Sequence, residues 1–129
     1  MEQRYLIDSN VISHLFSDKL PETGIKFVTN IINEELLISV VTEIEVMTYH
    51  ETPEKMDLIE EFIKLANVIA LDAVLTKRTI ELRRKHRKFK LGDAIIASTA
   101  LVNNLILVTN NVKDFSNVKD LKVIDPHRI

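Results

Sequence analysis

The 129-residue chain contains no cysteine, only two glycines and three prolines, and 5% aromatic residues. The lack of cysteine excludes disulfides, thiolate metal sites and cysteine nucleophiles. The two glycines, Gly24 and Gly92, are far apart. Phosphate-binding loops need several glycines at close spacing, so neither a Walker A loop nor a dinucleotide-binding fingerprint is available. Charge interrupts every apolar run well before the roughly 18 residues of a membrane span. The N-terminal Met-Glu-Gln-Arg runs directly into an apolar segment and lacks a secretory h-region, which predicts a cytoplasmic protein with no membrane partner. No internal repeat, low-complexity tract or Gly/Ser linker is present.

The remaining composition is that of one ordinary globular domain over residues 1–129, with 46% hydrophobic and 28% charged residues and a net charge of −2. Disorder, collagen and coiled coil are poor readings of such a chain. The small net charge hides an asymmetry. Between Thr76 and Lys90 lie eight of the 17 basic residues and one of the 19 acids, leaving 9 basic against 18 acidic elsewhere. A solvated helix face is the plainer explanation of such a run. The sharper one is a contact surface for a polyanion.

Short apolar runs alternate with amphipathic ones along the whole chain. Tyr5-Leu6-Ile7, Leu36 to Val41, Val68 to Leu71, Leu105 to Val108 and Val123-Ile124 read as strands. Helices are predicted after Asp8-Ser9-Asn10, from near Pro21, from Thr42, from Pro53, after Asp72 as a long basic helix, and from Gly92-Asp93. Strands apolar on both faces, joined by helices, call for an α/β fold with a parallel sheet covered on both sides. In such sheets the ligand crevice lies beyond the carboxyl ends of the strands.

Acids stand at those ends. Asp8 follows the first strand, Glu43 and Glu45 the second, and Thr109, Asn110, Asn111 and Asp114 the fourth; Asp93 opens a helix near the same edge. Clustered carboxylates repel unless protonated or neutralised. With no Lys or Arg expected beside them, a divalent metal is the natural neutraliser, and oxygen ligands favour Mg2+ or Mn2+ over zinc. Each acid also has an ordinary structural explanation. Asp8 is placed to cap a helix, Thr42-Glu43-Ile44-Glu45 fits a capping box, Asp93 suits a first helical turn, and Asp114 suits a surface turn. His14, His50, His86 and His127 have no metal-ligand spacing and are expected to be structural or surface residues.

Four segments carry a family resemblance. They are Leu-Ile-Asp-Ser-Asn-Val-Ile-Ser at 6–13, Ile-Ser-Val-Val-Thr-Glu-Ile-Glu at 38–45, Leu-Gly-Asp-Ala-Ile-Ile-Ala-Ser-Thr-Ala at 91–100 and Leu-Val-Thr-Asn-Asn-Val-Lys-Asp-Phe at 107–115. In this order and spacing, over nearly the whole chain, the sequence resembles a PIN domain, and within that group the VapC-type toxins of toxin–antitoxin pairs. The resemblance implies a three-layer α/β/α sandwich with a mostly parallel sheet. It also implies a metal-dependent ribonuclease, often a homodimer, inhibited by a cognate antitoxin.

Position by position, Asp8 matches the first family acid and Asn10 its polar companion. Glu45 matches the second acid, while Glu43 falls at a variable position; the two stand about 200° apart on a helix, so only one is expected to face an ion. Asp93 matches the third. Many relatives carry a fourth acid where this chain has Asn111, and Asp114 matches the Asp of an Asp-Phe pair. Asp114 is therefore taken as the fourth acid, with Thr109 and Asn111 as polar supports. The implied chemistry is hydrolysis of RNA phosphodiesters by a water made acidic on Mg2+ or Mn2+ held by Asp8, Glu45 and Asp93. Arg83, Arg84, Arg87, Lys88 and Lys90 would hold the RNA backbone. With few aromatics for stacking, sequence preference must come from shape and hydrogen bonding. Two rival readings are a phosphoacceptor domain, which lacks its adjacent acidic pair and strand-end lysine here, and a catalytically degenerate PIN-like module that binds RNA or protein. The apolar second and fourth helices offer surfaces for a dimer or antitoxin, although core packing is their commoner use.

Overall fold

In the computed structural model, which describes residues 2–129, five short strands and seven α-helices alternate. They are β1 (Tyr5–Ile7), α1 (Ser9–Phe16), α2 (Glu22–Glu34), β2 (Leu37–Ser39), α3 (Val40–Met47) and α4 (Pro53–Ile63). Next come β3 (Asn67–Ile69), α5 (Ala73–Lys85), α6 (Leu91–Val102), β4 (Ile106–Val108), α7 (Val112–Phe115) and β5 (Val123–Ile124), followed by a 3-10 turn at Pro126–Arg128. Every pairing is parallel. β4 lies between β1 and β5, with Tyr5 opposite Ile106 and Leu107 opposite Val123, while β2 pairs with β3, Leu37 opposite Asn67. β1 packs beside β2, so the two ladders adjoin.

The central strands β1, β2 and β4 are mostly apolar and consecutive residues enter different cores, whereas β3 begins with the exposed Asn67. Leu6, Leu37 and Leu107 join one cluster with Leu82 of α5, Ala97 of α6 and Phe115 of α7. Their neighbours Ile7, Ile38 and Val108 join another with Val11 of α1, Val28 of α2, Val46 of α3 and Ile59 of α4. The result is the expected α/β/α layering. Because the strands are parallel, their carboxyl ends meet at one edge.

Several expected boundaries shift. The second strand was expected to reach Val41, with a helix opening at Thr42. Instead the chain turns after Ser39, whose hydroxyl accepts the Val41 N–H at 2.9 Å and caps α3. Val40 and Val41 look like strand residues by composition, but a side-chain cap two residues earlier takes them into the helix. The Thr42–Glu45 capping box therefore does not form; Thr42 is buried within α3 and its hydroxyl has no partner among the described residues. The third and fourth strands are likewise shorter than expected, at Asn67–Ile69 and Ile106–Val108. The basic run is not one helix: α5 ends at Lys85, and Arg87, Lys88 and Lys90 lie on the connection to α6.

Neither α7 nor the C-terminal turn is foreseen by the hydropathy pattern. The turn is held from three sides. The Thr23 hydroxyl donates to the carbonyl of Ile129 at 2.9 Å, His14 Nδ1 lies 2.7 Å from His127 Nε2, and Pro126 presses on Gly24 so closely that a Cβ there would run into the Pro126 carbonyl oxygen. Burial and the neighbouring His127 push the His14 pKa down.

Candidate active site

Asp8 ends β1 and caps α1, accepting the Ser9 N–H on Oδ1 at 2.8 Å. Capping accounts for one oxygen only. Oδ2 accepts from the Thr109 hydroxyl at 2.8 Å and from Asn10 Nδ2 at 3.0 Å. Asn10 Nδ2 also donates to Thr109 Oγ1 at 3.0 Å, and its Oδ1 accepts the Asn110 N–H at 3.1 Å. Thr109 Oγ1 accepts the Asn111 N–H at 3.1 Å. This closed network ties the end of β1 and the start of α1 to the end of β4. It fixes the carboxylate of Asp8 in orientation, although the residue is only 4% exposed.

That burial is costly for a charge. Asp8 is pushed above the ordinary carboxylate range, first by desolvation and further by the charge of Glu45, against the three hydrogen bonds that favour its anion. Glu45 reaches across from α3, its Oε1 accepting from the Ser9 hydroxyl at 3.0 Å. The Tyr49 hydroxyl donates to the Ser9 carbonyl at 2.8 Å and steadies the same corner. Asp93, in the first turn of α6, is half-buried and also raised, by desolvation first and then by the charges of Asp8 and Asp114; Lys90 partly opposes this. Asp114 enters from α7.

Four acids, from the end of β1 and from α3, α6 and α7, are thus linked at one edge of the sheet, Glu45 acting on Asp8, and Asp8 and Asp114 on Asp93. Glu43 does not enter this set of charges. Asn111 stands at the N-terminal end of α7 without a side-chain cap bond, and its backbone N–H donates to Thr109 Oγ1. One expectation needs correction: Lys90 does lie beside Asp93, three residues ahead of it at the N-cap of α6. Ser9 and Tyr49 were not anticipated. Ser9 was legible only as a neighbour of Asp8, and no local pattern marks Tyr49.

The donor chemistry fits a hard divalent cation. The carboxylates supply oxygen ligands, Asp8 and Asp93 are raised first by desolvation and then by neighbouring acids, and the buried Oδ1 of Asn110, whose N–H joins the network, has no partner among the described residues. Among the described residues, no three acidic or histidine side chains are grouped closely enough to hold an ion by themselves. Mg2+ is commonly held by one or two carboxylates, with water and substrate phosphate completing its shell.

The cationic residues divide. Arg87, Lys88 and Lys90 line an open groove of about 370 Å3 that also reaches Asp93 and Asp114. Arg83 instead donates from Nε to the Phe89 carbonyl at 3.1 Å and braces the turn, while Arg84 is exposed on α5 outside that groove. A larger cavity of about 790 Å3 lies at the opposite end of the strands, beside the Arg4–Glu35 ion pair, and contains none of the four acids.

Parallel strands, helices on both faces and an acidic crevice at the strand ends define an α/β domain built to gather carboxylates. Solved structures share this architecture over almost their full length. A toxin–antitoxin complex from Klebsiella pneumoniae is 28% identical, with 97% of this chain and 99% of that chain covered and a TM-score of 0.76. VapBC2 from Rickettsia felis, bound to a promoter DNA fragment, is 20% identical, with 95% and 98% covered and a TM-score of 0.80. VapBC-1 from nontypeable Haemophilus influenzae is 23% identical, with 96% and 98% covered and a TM-score of 0.79. The latter two speak for the fold. None of the curated proteins matches. The PIN domain model matches residues 5–121, and the chain belongs to the PIN domain family. No helix among the described residues is long and apolar enough to cross a membrane.

Proposed function

We propose that the protein is a Mg2+- or Mn2+-dependent endoribonuclease, and that it is the toxin of a type II toxin–antitoxin pair, with residues 1–129 acting as one domain. The observation that carries the reading is Asp8, a nearly buried carboxylate held by three hydrogen bonds and close to further acids, with no basic side chain bonded to it among the described residues. Such a site loses stability when ionised and gains it when a cation arrives.

In this reading Asp8 and Asp93 hold the ion, and Glu45 and Asp114 flank it. Bound there, a divalent cation would acidify an attacking water and offset charge building on the phosphate. Asn10 and Thr109 keep Asp8 from rotating away. Ser9 holds Glu45 against the end of β1, where its carboxylate can orient water through a hydrogen bond. Arg87, Lys88 and Lys90 draw the RNA backbone toward an edge that its acids alone would repel.

The Klebsiella complex, similar over nearly its whole length, is a toxin–antitoxin assembly. That supports an antitoxin as protein partner here. We also read the chain as a cytoplasmic homodimer.

The test is cleavage of a mixed RNA pool with Mn2+ and with chelator, beside calorimetry of Mn2+ binding. Metal-dependent cleavage abolished by Asp8→Asn is expected. No cleavage and no bound ion would overturn the nuclease reading and leave a degenerate binding module.

A further inference from the structure

Resting on that nuclease reading, we infer that the groove beside Asp93 seats the nucleotide next to the scissile phosphate, and that Asn117 reads its base. The groove holds about 370 Å3, within the range of roughly 300–1,000 Å3 for small-molecule sites and toward the end suited to a single nucleotide. Its surfaces differ in chemistry. Arg87, Lys88 and Lys90, on the connection between α5 and α6, supply three cations matched to backbone phosphate. Phe89 and Val118, both nearly buried, give an apolar floor. Asn117 of the segment after α7 also lines it, and its amide offers both donors and an acceptor to a base edge.

The groove is braced as well as lined. Arg83 fixes the Phe89 carbonyl at 3.1 Å, and the rings of Phe89 and Phe115 meet edge to face at 6.1 Å, joining the α5–α6 turn to α7. His86 packs edge to face on Phe89 at 6.2 Å and borders the groove, so its ring reports on occupancy. Asp93 and Asp114 lie along the same groove and set the direction of the ligand. A nucleotide can present its uncharged sugar and base to Asn117 while its outer phosphate meets the cations. An acidic peptide would carry its carboxylates past Asp93 and Asp114 instead, so RNA is the better match.

The test has two arms. In the first, wild-type protein in chelator is titrated with the four ribonucleoside 5′-monophosphates, with ribose 5-phosphate and with a polyglutamate peptide, and the histidine ring resonances are followed. His86 should move with at least one mononucleotide and saturate. Asn117→Ala should weaken that nucleotide about fivefold, the worth of one hydrogen bond, with less than about a twofold change for ribose 5-phosphate. In the second arm, cut sites in a random RNA pool are sequenced for wild type and Asn117→Ala. The base preference at one position flanking the cut should flatten by about fivefold in the variant.

Equal response of His86 to ribose 5-phosphate, a stronger response to polyglutamate, or no response at all overturns the base-reading groove even if RNA is cleaved. An unchanged cut-site preference in an active Asn117→Ala protein does so too. A saturable, Asn117-dependent nucleotide response in a protein that cleaves no RNA and binds no Mn2+ would support the base-reading groove while removing the nuclease reading on which its place beside a scissile phosphate depends.

Discussion

Replacing Asp93 by asparagine should make the metal-free protein more stable and the metal-loaded protein less active. Asp93 is half-buried, and its pKa is raised by desolvation and by the charges of Asp8 and Asp114, with Lys90 opposing them. The amide has nearly the same shape and removes the charge. Two like charges 4 Å apart cost about 1 kcal/mol in water and about 4 kcal/mol at an effective dielectric of 20. Solvent reaches half of this side chain, so the lower figure applies, and the expected gain is about 1 kcal/mol. For a domain of this size that is a rise in Tm of about 4 °C in chelator near neutral pH.

The sign with pH is fixed by the direction of the shift. A carboxyl raised in the fold contributes stability below its unfolded pKa and loses it as pH rises through the folded value. The advantage of Asp93→Asn should therefore be small near pH 4, grow toward neutrality, and then level off. Added Mn2+ should reverse the order. At a hundredfold excess over Kd, a bound ion stabilises the wild type by about 2.7 kcal/mol, and the variant should gain far less. The assay is urea denaturation and thermal melting across pH, with chelator and with Mn2+. A variant less stable than wild type in chelator at neutral pH, or one with an undiminished Mn2+ response, would refute the repulsive-cluster argument.

Other substitutions test separate joints of the molecule. Glu45→Gln should lower RNA cleavage at least about tenfold, the loss expected from one misplaced charged group worth about 1.4 kcal/mol, whereas Glu43→Gln should change it less than about twofold; equal losses in a cleavage assay would refute the helix register. Gly24→Ala gains up to about 1 kcal/mol in helix propensity, but its Cβ meets the Pro126 carbonyl oxygen. The overpacking cost of about 1–3 kcal/mol should outweigh that gain, so denaturation should show net loss. Arg83→Ala should cost about 1 kcal/mol of stability through the lost Phe89 contact. Neutralising Arg87 and Lys88 instead should leave stability within about 0.5 kcal/mol, while the slope of log affinity against log salt for RNA falls by about 1–2.

Local pattern carried much of this protein. The alternation of short, wholly apolar runs with amphipathic ones determined a parallel α/β/α domain, because only strands covered on both faces can send Leu6 and Ile7, or Leu107 and Val108, into separate cores. The strand-end positions of Asp8, Glu45 and Asp114 followed from the same pattern, as did Asp93 in a first helical turn. Tertiary structure decided what these residues touch. Asp8 meets Thr109 across about a hundred residues of chain, and Glu45 meets Ser9 from a helix α3 that is capped by Ser39 rather than opening at Thr42. Lys90, by contrast, lies beside Asp93 for a local reason, three residues ahead of it at the N-cap of α6. Periodicity records which side of an element is buried, but a capping hydroxyl, a turn and a cross-chain hydrogen bond depend on positions the chain acquires only once the layers have packed.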